Sequence, residues 1–383
     1  MAEPLKNQFG PEVPRTIAAM IAAVWPEFPA RRLLADVLAG YGPLALMDRG
    51  RRIADALHRY LPDGYPEAIA ILIASVERGN VRHEAAPGMA SFLYLPHVLF
   101  VARHGLDHFE ASMRAQYLLT QKFTAEFSIR PFLERYPEKT LVRLRRWARD
   151  PRPAVRRLVS EGTRPRLPWA ARLPAFQRDP RPVLELLELL KDDPALYVRR
   201  SVANNLNDIG KDHPDLLAAT ARRWLEGAGP ERSWIVRHAL RSAVKRGEPG
   251  ALAALGFGAT ADVAIENVRI TPQAPIIGGR VEIAFEVVNQ RPKAQRVLVD
   301  LRVHFVKASG RTAAKVFKLK TLALPPRASA RLRKGLVLVD LTTRKHYPGR
   351  HRVEAVLNGR PLALGSFAIG LGRARRVRNG RAS

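Results

Sequence analysis

The sequence predicts an α-solenoid of HEAT-like helical repeats followed by an all-β immunoglobulin-like sandwich. Three observations support this fold class: a helical motif repeated about every 40 residues, a change from helical to strand periodicity near residue 256, and seven short strand segments beyond it. We therefore expect a helical-repeat domain over residues 1–256, a β-sandwich over residues 257–370 and a disordered basic tail over residues 371–383.

The helical prediction depends on a motif in which an acidic residue is followed five and six positions later by Val-Arg. The three Val-Arg pairs are separated by 43 and 38 residues, and they are Val155–Arg156, Val198–Arg199 and Val236–Arg237. HEAT repeats have this period, with the acid capping a helix and the valine entering the core. Salt bridges between repeats and contacts to phosphates would each account for the arginines of these pairs.

The sandwich prediction depends on alternating apolar and polar residues in segments such as "VEIAFEVVN" and "RVLVDLRVHFV". Turn segments such as "NQRP" and "PGR" separate about seven of these strands over some 110 residues, which suits an immunoglobulin-like sandwich. Neither Cys nor Trp occurs in this part of the chain, so the antibody hallmarks are missing and only the general architecture is predicted. The last segment, "LGRARRVRNGRAS", holds five Arg and no acid.

The charge of the chain favours a nucleic-acid partner. Its 383 residues carry a formal net charge of +29 with a pI near 11.3, and residues 142–200 hold fifteen Lys or Arg against seven acids. No apolar run reaches the roughly 18 residues of a membrane span, and the start has no basic segment leading into an apolar one. The absence of cysteine excludes disulfides, thiolate metal sites and cysteine nucleophiles, and it is compatible with the cytoplasm.

Polar and aromatic residues in three segments are the candidates for a site. Glu126 lies in "FTAEFSIRPF", where a surface carboxylate or an ion pair with Arg130 is the simple alternative. Trp169 follows "TRPRLP", in which the prolines favour an extended chain, although a tryptophan in a helical protein is usually part of the core.

The third candidate segment is "YVRRSVANNLND". Ser201, Asn204, Asn205 and Asp208 lie at helical spacing on one face, and such a polar stripe is usually the solvated face of a helix. Two adjacent Asn weaken a helix, however, so we expect this stripe to face a substrate.

Together, "FTAEFSIRPFLERYP", "SEGTRPRLPW" and "YVRRSVANNLNDIGKDHPD" resemble the corresponding segments of bacterial AlkC DNA glycosylases, of the AlkC/AlkD superfamily. The resemblance covers most of residues 1–250, and an immunoglobulin-like domain follows in some AlkC-like proteins. It implies a monofunctional glycosylase that hydrolyses the N-glycosidic bond of cationic alkylated bases, 3-methylcytosine and 3-methyladenine, without a base-flipping pocket and without a cofactor or metal. It also implies a bacterial protein of the cytoplasm and nucleoid that acts on double-stranded DNA, and we expect a monomer.

The resemblance implies catalytic roles for Glu126, Trp169 and Asp208. We expect DNA contacts from basic and amide side chains around them, namely Arg152, Arg157, Arg164, Arg166, Arg200, Asn204, Asn205 and Lys211. Arg164 has a structural alternative, a pair with Glu161. In the sandwich, Arg331, Arg333 and Lys334 are further candidates for contacts to the DNA backbone.

Two other classes of function remain open from the sequence. A non-enzymatic HEAT-repeat scaffold would bind nucleic acid through the same basic surface and would release no base. A protein-interaction module would recognise an acidic partner, for which nucleic acid would compete.

Overall fold

The computed structural model describes residues 5–78, 90–258, 261–341 and 344–370. The chain forms two compact units, one of Met1–His213 with Trp224–Ala239 and one of Pro214–Arg223 with Leu240–Ser383. The last two helices, on the helical side of the boundary expected at residue 256, belong to the second unit. The basic tail expected over residues 371–383 lies outside the described residues.

The described residues before residue 256 form helices and the loops between them, as predicted. Leu5–Gln8 and Ala90–Tyr94 form short 3-10 helices. The described residues form sixteen α-helices: α1 (Glu12–Ala22), α2 (Ala30–Leu38), α3 (Leu46–Tyr60), α4 (Tyr65–Arg78), α5 (Leu95–His104), α6 (Phe109–Leu119), α7 (Glu126–Arg135), α8 (Pro137–Trp147), α9 (Pro153–Gly162), α10 (Pro174–Arg178), α11 (Arg181–Glu188), α12 (Leu196–Ile209), α13 (Pro214–Leu225), α14 (Pro230–Ala239), α15 (Arg241–Arg246) and α16 (Pro249–Ala254).

Helices α9 and α12 begin in the same way, which confirms the register of the first two motifs, whereas Glu231 of the third motif lies within α14. The Asp150 carboxylate accepts the backbone N–H of Arg152 at 2.9 Å, and the Asp193 carboxylate accepts that of Ala195 at 2.9 Å. Each acid thus satisfies a backbone donor ahead of the first helical turn. The two motif valines have no exposed surface and pack in the core.

The motif arginines Arg156 and Arg199 have a structural role. Each donates to the two carbonyls six and five residues before it, with distances of 2.8 and 2.9 Å for Arg156 and of 3.0 and 2.7 Å for Arg199. Arg156 also pairs with Asp193 of the next repeat at 2.6 Å. These bonds close the turn of each repeat and join one repeat to the next.

The second part is a sandwich of two antiparallel sheets, which confirms the predicted immunoglobulin-like architecture. Its strands are β1 (Val263–Thr271), β2 (Arg280–Asn289), β3 (Gln295–Val306), β4 (Thr312–Leu324), β5 (Ser329–Val337), β6 (Gly349–Leu357) and β7 (Arg360–Ile369). The sheets have the orders β1-β2-β5 and β4-β3-β6-β7. Alternate residues of the strands fill the core between them, as with Val281, Ile283 and Phe285 in β2.

No helix among the described residues combines the length and the apolar character that crossing a bilayer requires.

Candidate active site

Helices α9 and α12 of adjacent repeats are joined by polar side chains. The Ser160 and Ser201 hydroxyls are 2.7 Å apart, and Asn205 donates its amide to the Ser160 carbonyl at 2.7 Å and to the Thr163 hydroxyl at 3.1 Å. Asn205 has no exposed surface. The polar stripe of α12 therefore faces the neighbouring repeat at this residue, and this position differs from the DNA-facing one expected for Asn205.

Arg130 shapes the loop that follows α9. It is 4% exposed and donates to the carbonyls of Gly162 at 3.0 Å, Arg164 at 2.8 Å and Ala171 at 2.6 Å. Burial lowers the pKa of Arg130 to about 10, so its guanidinium remains charged at neutral pH. Arg130, the alternative partner of Glu126 in the sequence, thus holds both ends of the loop instead.

Trp169 lies in this loop, between the ends that Arg130 holds. Its side chain is 60% exposed, in contrast to the fully buried Trp224. Its φ is +65°, a left-handed conformation that is costly for a bulky residue and requires the surrounding structure to impose it. An exposed indole on a strained backbone contributes little to the core and is presented to the outside of the protein.

Glu126 is the first residue of α7, where the helix dipole favours a negative charge. Its Oε2 accepts the Thr124 hydroxyl at 2.7 Å and Nη1 of Arg157 at 2.7 Å. The Arg157 guanidinium also lies 5.1 Å from the centre of the Tyr197 ring. Glu126 is 8% exposed, so this ion pair is largely shielded from solvent.

Arg157 begins a chain of ion pairs that leads from Glu126 to Asp208. Arg157 is 3.5 Å from Glu161, Glu161 is 2.6 Å from Arg164, and Arg164 donates its Nε to Oδ2 of Asp208 at 2.8 Å. Burial opposes the charge of Arg164, yet Glu161 and Asp208 outweigh it and raise the pKa of the guanidinium.

Asp208 ends this network inside the protein. It is 1% exposed, and its second oxygen, Oδ1, accepts Nζ of Lys211 at 2.7 Å. The Lys211 side chain is 39% exposed, so the charge next to Asp208 reaches solvent. Asp208 is therefore connected to Glu126 through Glu161 and the two arginines.

A cavity of about 410 Å³ brings two of the three predicted catalytic residues together. Glu126 and Trp169 both line it, next to Arg157, whereas Asp208 is not among the residues of its wall. The remaining wall is largely apolar and aromatic, and it consists of Met47, Ser91, Phe92, Leu95, Thr120, Gln121, Lys122, Phe123, Thr124, Phe127, Ala154 and Tyr197.

Of the other predicted DNA-binding residues, Arg152 and Arg200 are exposed and Asn204 is half-buried. Arg152 donates to the Tyr117 hydroxyl. Arg166 donates to Asp212 at 2.9 Å, and this bond lowers the pKa of the Asp212 carboxyl.

Glu161 and Tyr197 were not predicted as site residues. Glu161 accepts Oγ of Ser201 at 2.6 Å in addition to its two arginines, so it is the centre of the ion-pair network. A signal for Tyr197 was present in the repeat. Tyr197 and Ala154 precede the equivalent motif valines of α12 and α9, and both line the cavity.

Comparisons with known proteins agree across nearly the whole chain. A solved structure, the Pseudomonas fluorescens alkylpurine DNA glycosylase AlkC bound to DNA containing an abasic site analog, is 40% identical, with a TM-score of 0.88. The match covers 97% of this chain and 100% of that one. The uncharacterized protein YhaZ of Bacillus subtilis (strain 168) is 37% identical over 93% of this chain and 96% of its own length. Residues 264–370 match the family described as the C-terminal Ig-like domain of the uncharacterised protein YhaZ.

Proposed function

This chain belongs to the AlkC-type DNA glycosylases, and on that premise we propose that it hydrolyses the N-glycosidic bond of cationic alkylated bases in double-stranded DNA. The proposed substrates are 3-methylcytosine and 3-methyladenine. The observation that carries the proposal is the cavity that a carboxylate, Glu126, and an exposed indole, Trp169, both line.

The chemistry of these substrates requires few protein groups. An N3-methylated base already carries a positive charge, so it leaves without a general acid. The barrier lies in the sugar, which becomes an oxocarbenium-like cation as the bond breaks, and a nearby carboxylate stabilises that cation and orients the attacking water. A carboxylate and an aromatic face are thus the two kinds of group that the reaction requires of the protein.

Glu126 is suited to the carboxylate role. Its hydrogen bonds to Thr124 and Arg157 both end on Oε2, and they fix the direction of the carboxylate plane. The other oxygen, Oε1, has no bond within the described residues and is the atom we assign to the sugar cation and the water. A pre-oriented carboxylate needs little reorganisation as charge develops.

Trp169 is suited to contact the base. An indole face attracts a cation by about 0.5 to 2 kcal/mol, and the attraction rises with desolvation. Because the indole is 60% exposed, it can meet a methylated base at the protein surface. This exposure supports a reaction in which the base is not turned into a pocket.

In this proposal Asp208 acts indirectly, through the ion-pair network that connects it to Glu126. Lys211 is half-exposed and neutralises Asp208 in the free protein. A DNA phosphate that draws Lys211 away would leave Asp208 with Arg164 alone and would make the network more negative at the moment of binding. Lys211 and the exposed Arg152 and Arg200 then serve as backbone contacts, whose strength falls steeply with salt.

The test uses a duplex with one 3-methylcytosine, treated with hot alkali after incubation so that each abasic site becomes a strand break. Wild type is expected to give breaks at the lesion and none in unmodified duplex. Glu126→Gln is expected to lower the single-turnover rate by roughly 100-fold or more, and Glu138→Gln, an exposed acid of the next helix α8 that does not line the cavity, is the matched control. A scaffold without activity would bind both duplexes and cut neither, and this result would overturn the proposal.

A further inference from the structure

A second cavity, of about 530 Å³, lies within the second unit and is surrounded by positive charge. None of its described wall residues is acidic, and five are cationic. The wall consists of Ser242, Lys245, Arg246, Phe305, Lys307, Ala313, Ala314, Lys315, Val316 and Arg344. No acid in this wall balances these cations, which distinguishes the cavity from the ion-paired network of the first unit.

The cations come from separate segments of the chain. Lys245 lies on α15, Lys307 follows β3, Lys315 lies on β4 and Arg344 follows β5. A basic run on one strand would be a solvated surface, whereas convergence of four segments on one space is a property of the fold. Arg246 differs from the other four because Glu248 accepts its Nε at 2.7 Å.

Arg344 has donors that the described residues do not satisfy. Its guanidinium lies 4.9 Å from the centre of the Phe305 ring and 5.9 Å from that of Phe317, which fixes the plane of the group. Its Nε and Nη1 are buried and make no hydrogen bond within the described residues. Buried donors without acceptors are costly, and Nη2 forms a parallel pair of N–H donors with either of these two nitrogens, so a ligand with paired oxygens would be stabilised here.

The lysines add repulsion that a ligand would relieve. Burial lowers the pKa of Lys315, and the nearby charges of Arg344, Lys245 and Lys307 lower it further. A multiply charged anion in the middle would turn these repulsions into attractions. The donor groups suit oxygens arranged around phosphorus, because a guanidinium binds two such oxygens side by side and each ammonium binds one.

We propose that this cavity is a phosphoryl-binding site, with Arg344 as the bidentate donor and Lys245, Lys307 and Lys315 as the surrounding charges. Linked phosphoryl groups with several negative charges are the ligand class. The source is either a nucleic-acid backbone or a free polyphosphate. The inference is independent of the glycosylase proposal, since it involves none of the residues around Glu126.

The experiment uses the full chain with two probes, inorganic tripolyphosphate in calorimetry and an unmodified DNA duplex in fluorescence anisotropy. The variants are Arg344→Gln and Lys315→Gln. Lys320→Gln is the control, because it removes one positive charge from β4, the strand of Lys315, at a residue that is not part of the cavity wall. Tripolyphosphate affinity is expected to fall about tenfold in Arg344→Gln relative to Lys320→Gln, corresponding to one charge-assisted hydrogen-bonding group.

The two probes distinguish the source. If both affinities fall relative to Lys320→Gln, the backbone of nucleic acid occupies the cavity. If only tripolyphosphate binding falls, the ligand is a free polyphosphate. If both variants bind both probes as Lys320→Gln does, the proposal is overturned. Thermal unfolding is recorded for each variant. If Arg344→Gln does not fold because the ring contacts of Arg344 are lost, the affinities of Lys315→Gln test the proposal.

Discussion

Arg157 binds Glu126 through Nη1 at 2.7 Å, and this pair connects the middle of the repeat helix α9 to the first residue of α7. The same Nη1 is 2.6 Å from the Thr124 hydroxyl. Arg157 was expected to contact DNA, yet its side chain is only 16% exposed. Its geometry in the free protein is that of a residue that positions the carboxylate, and the two roles have different consequences.

The first prediction separates these roles. Arg157→Gln is expected to lower the single-turnover rate of base release by roughly tenfold or more, because a misplaced catalytic group is costly. Duplex affinity is expected to change less than threefold, and Arg157→Lys is expected to restore part of the rate. A phosphate contact would instead reduce the slope of log affinity against log salt by about one, with the rate at saturating DNA unchanged.

The second prediction concerns the strain at Trp169. Trp169→Ala and Trp169→Gly both remove the indole and are expected to lose the same share of activity on the cationic base. They differ in stability, because only glycine adopts a φ of +65° without cost. Denaturant unfolding is expected to show the glycine variant more stable than the alanine variant by about 1 kcal/mol. Equal stability of the two would show that the loop relaxes when the indole is removed.

The third prediction concerns the polar stripe of α12. Asn205→Ala removes two buried hydrogen bonds and is expected to lower the free energy of unfolding by about 1–3 kcal/mol, with duplex affinity of the folded protein unchanged. Arg200→Gln, on the same helix and exposed, is expected to lower duplex affinity and to leave the free energy of unfolding unchanged. Both are measured by urea unfolding and by duplex binding at fixed salt. Weakened binding in a fully folded Asn205→Ala would restore its expected role as a DNA contact.

The fourth prediction is a loss of stability in mild acid caused by His97. This residue is fully buried in α5, and burial lowers its pKa from 6.5 to about 4. The folded protein therefore binds fewer protons than the unfolded chain between these values, so stability is complete above pH 6.5 and falls as the pH approaches 4. Between pH 7 and pH 5 the loss from this group is about 2 kcal/mol.

The measurement for His97 compares the wild type with His97→Met in urea at pH 7 and pH 5. The variant is expected to lose less stability over this interval by the amount assigned to the imidazole. An equal loss in both proteins would place the acid sensitivity in other groups.

The repeat and the sandwich were predictable because each has a local period. In the first two repeats the acid and the arginine of the Val-Arg pair interact within the start of one helix and its preceding loop, so Asp150 and Asp193 are visible as equivalents in the sequence. The alternation of Val281, Ile283 and Phe285 is likewise a local property of one strand. The family resemblance also selected Glu126 and Trp169, which the structure places around one cavity.

Other features depend on which surfaces meet, and a single sequence does not contain that information. The stripe of Asn205 has the same spacing whether it faces DNA or a neighbouring helix, and the hydrogen bonds to Ser160 and Thr163 show the second. The cavity around Arg344 is formed by four segments, and no local pattern relates Lys245 on α15 to Lys315 on β4.

Glu126 and Arg130 are four residues apart and lie one turn from each other on α7. The first supplies the acid, and the second, through three carbonyls, holds the loop that carries the indole. One turn of α7 thus separates the acid from the residue that holds the loop of the aromatic ring. Because Arg130 links this loop to α7, we expect Glu126 and Trp169 to keep their relative position when a duplex binds.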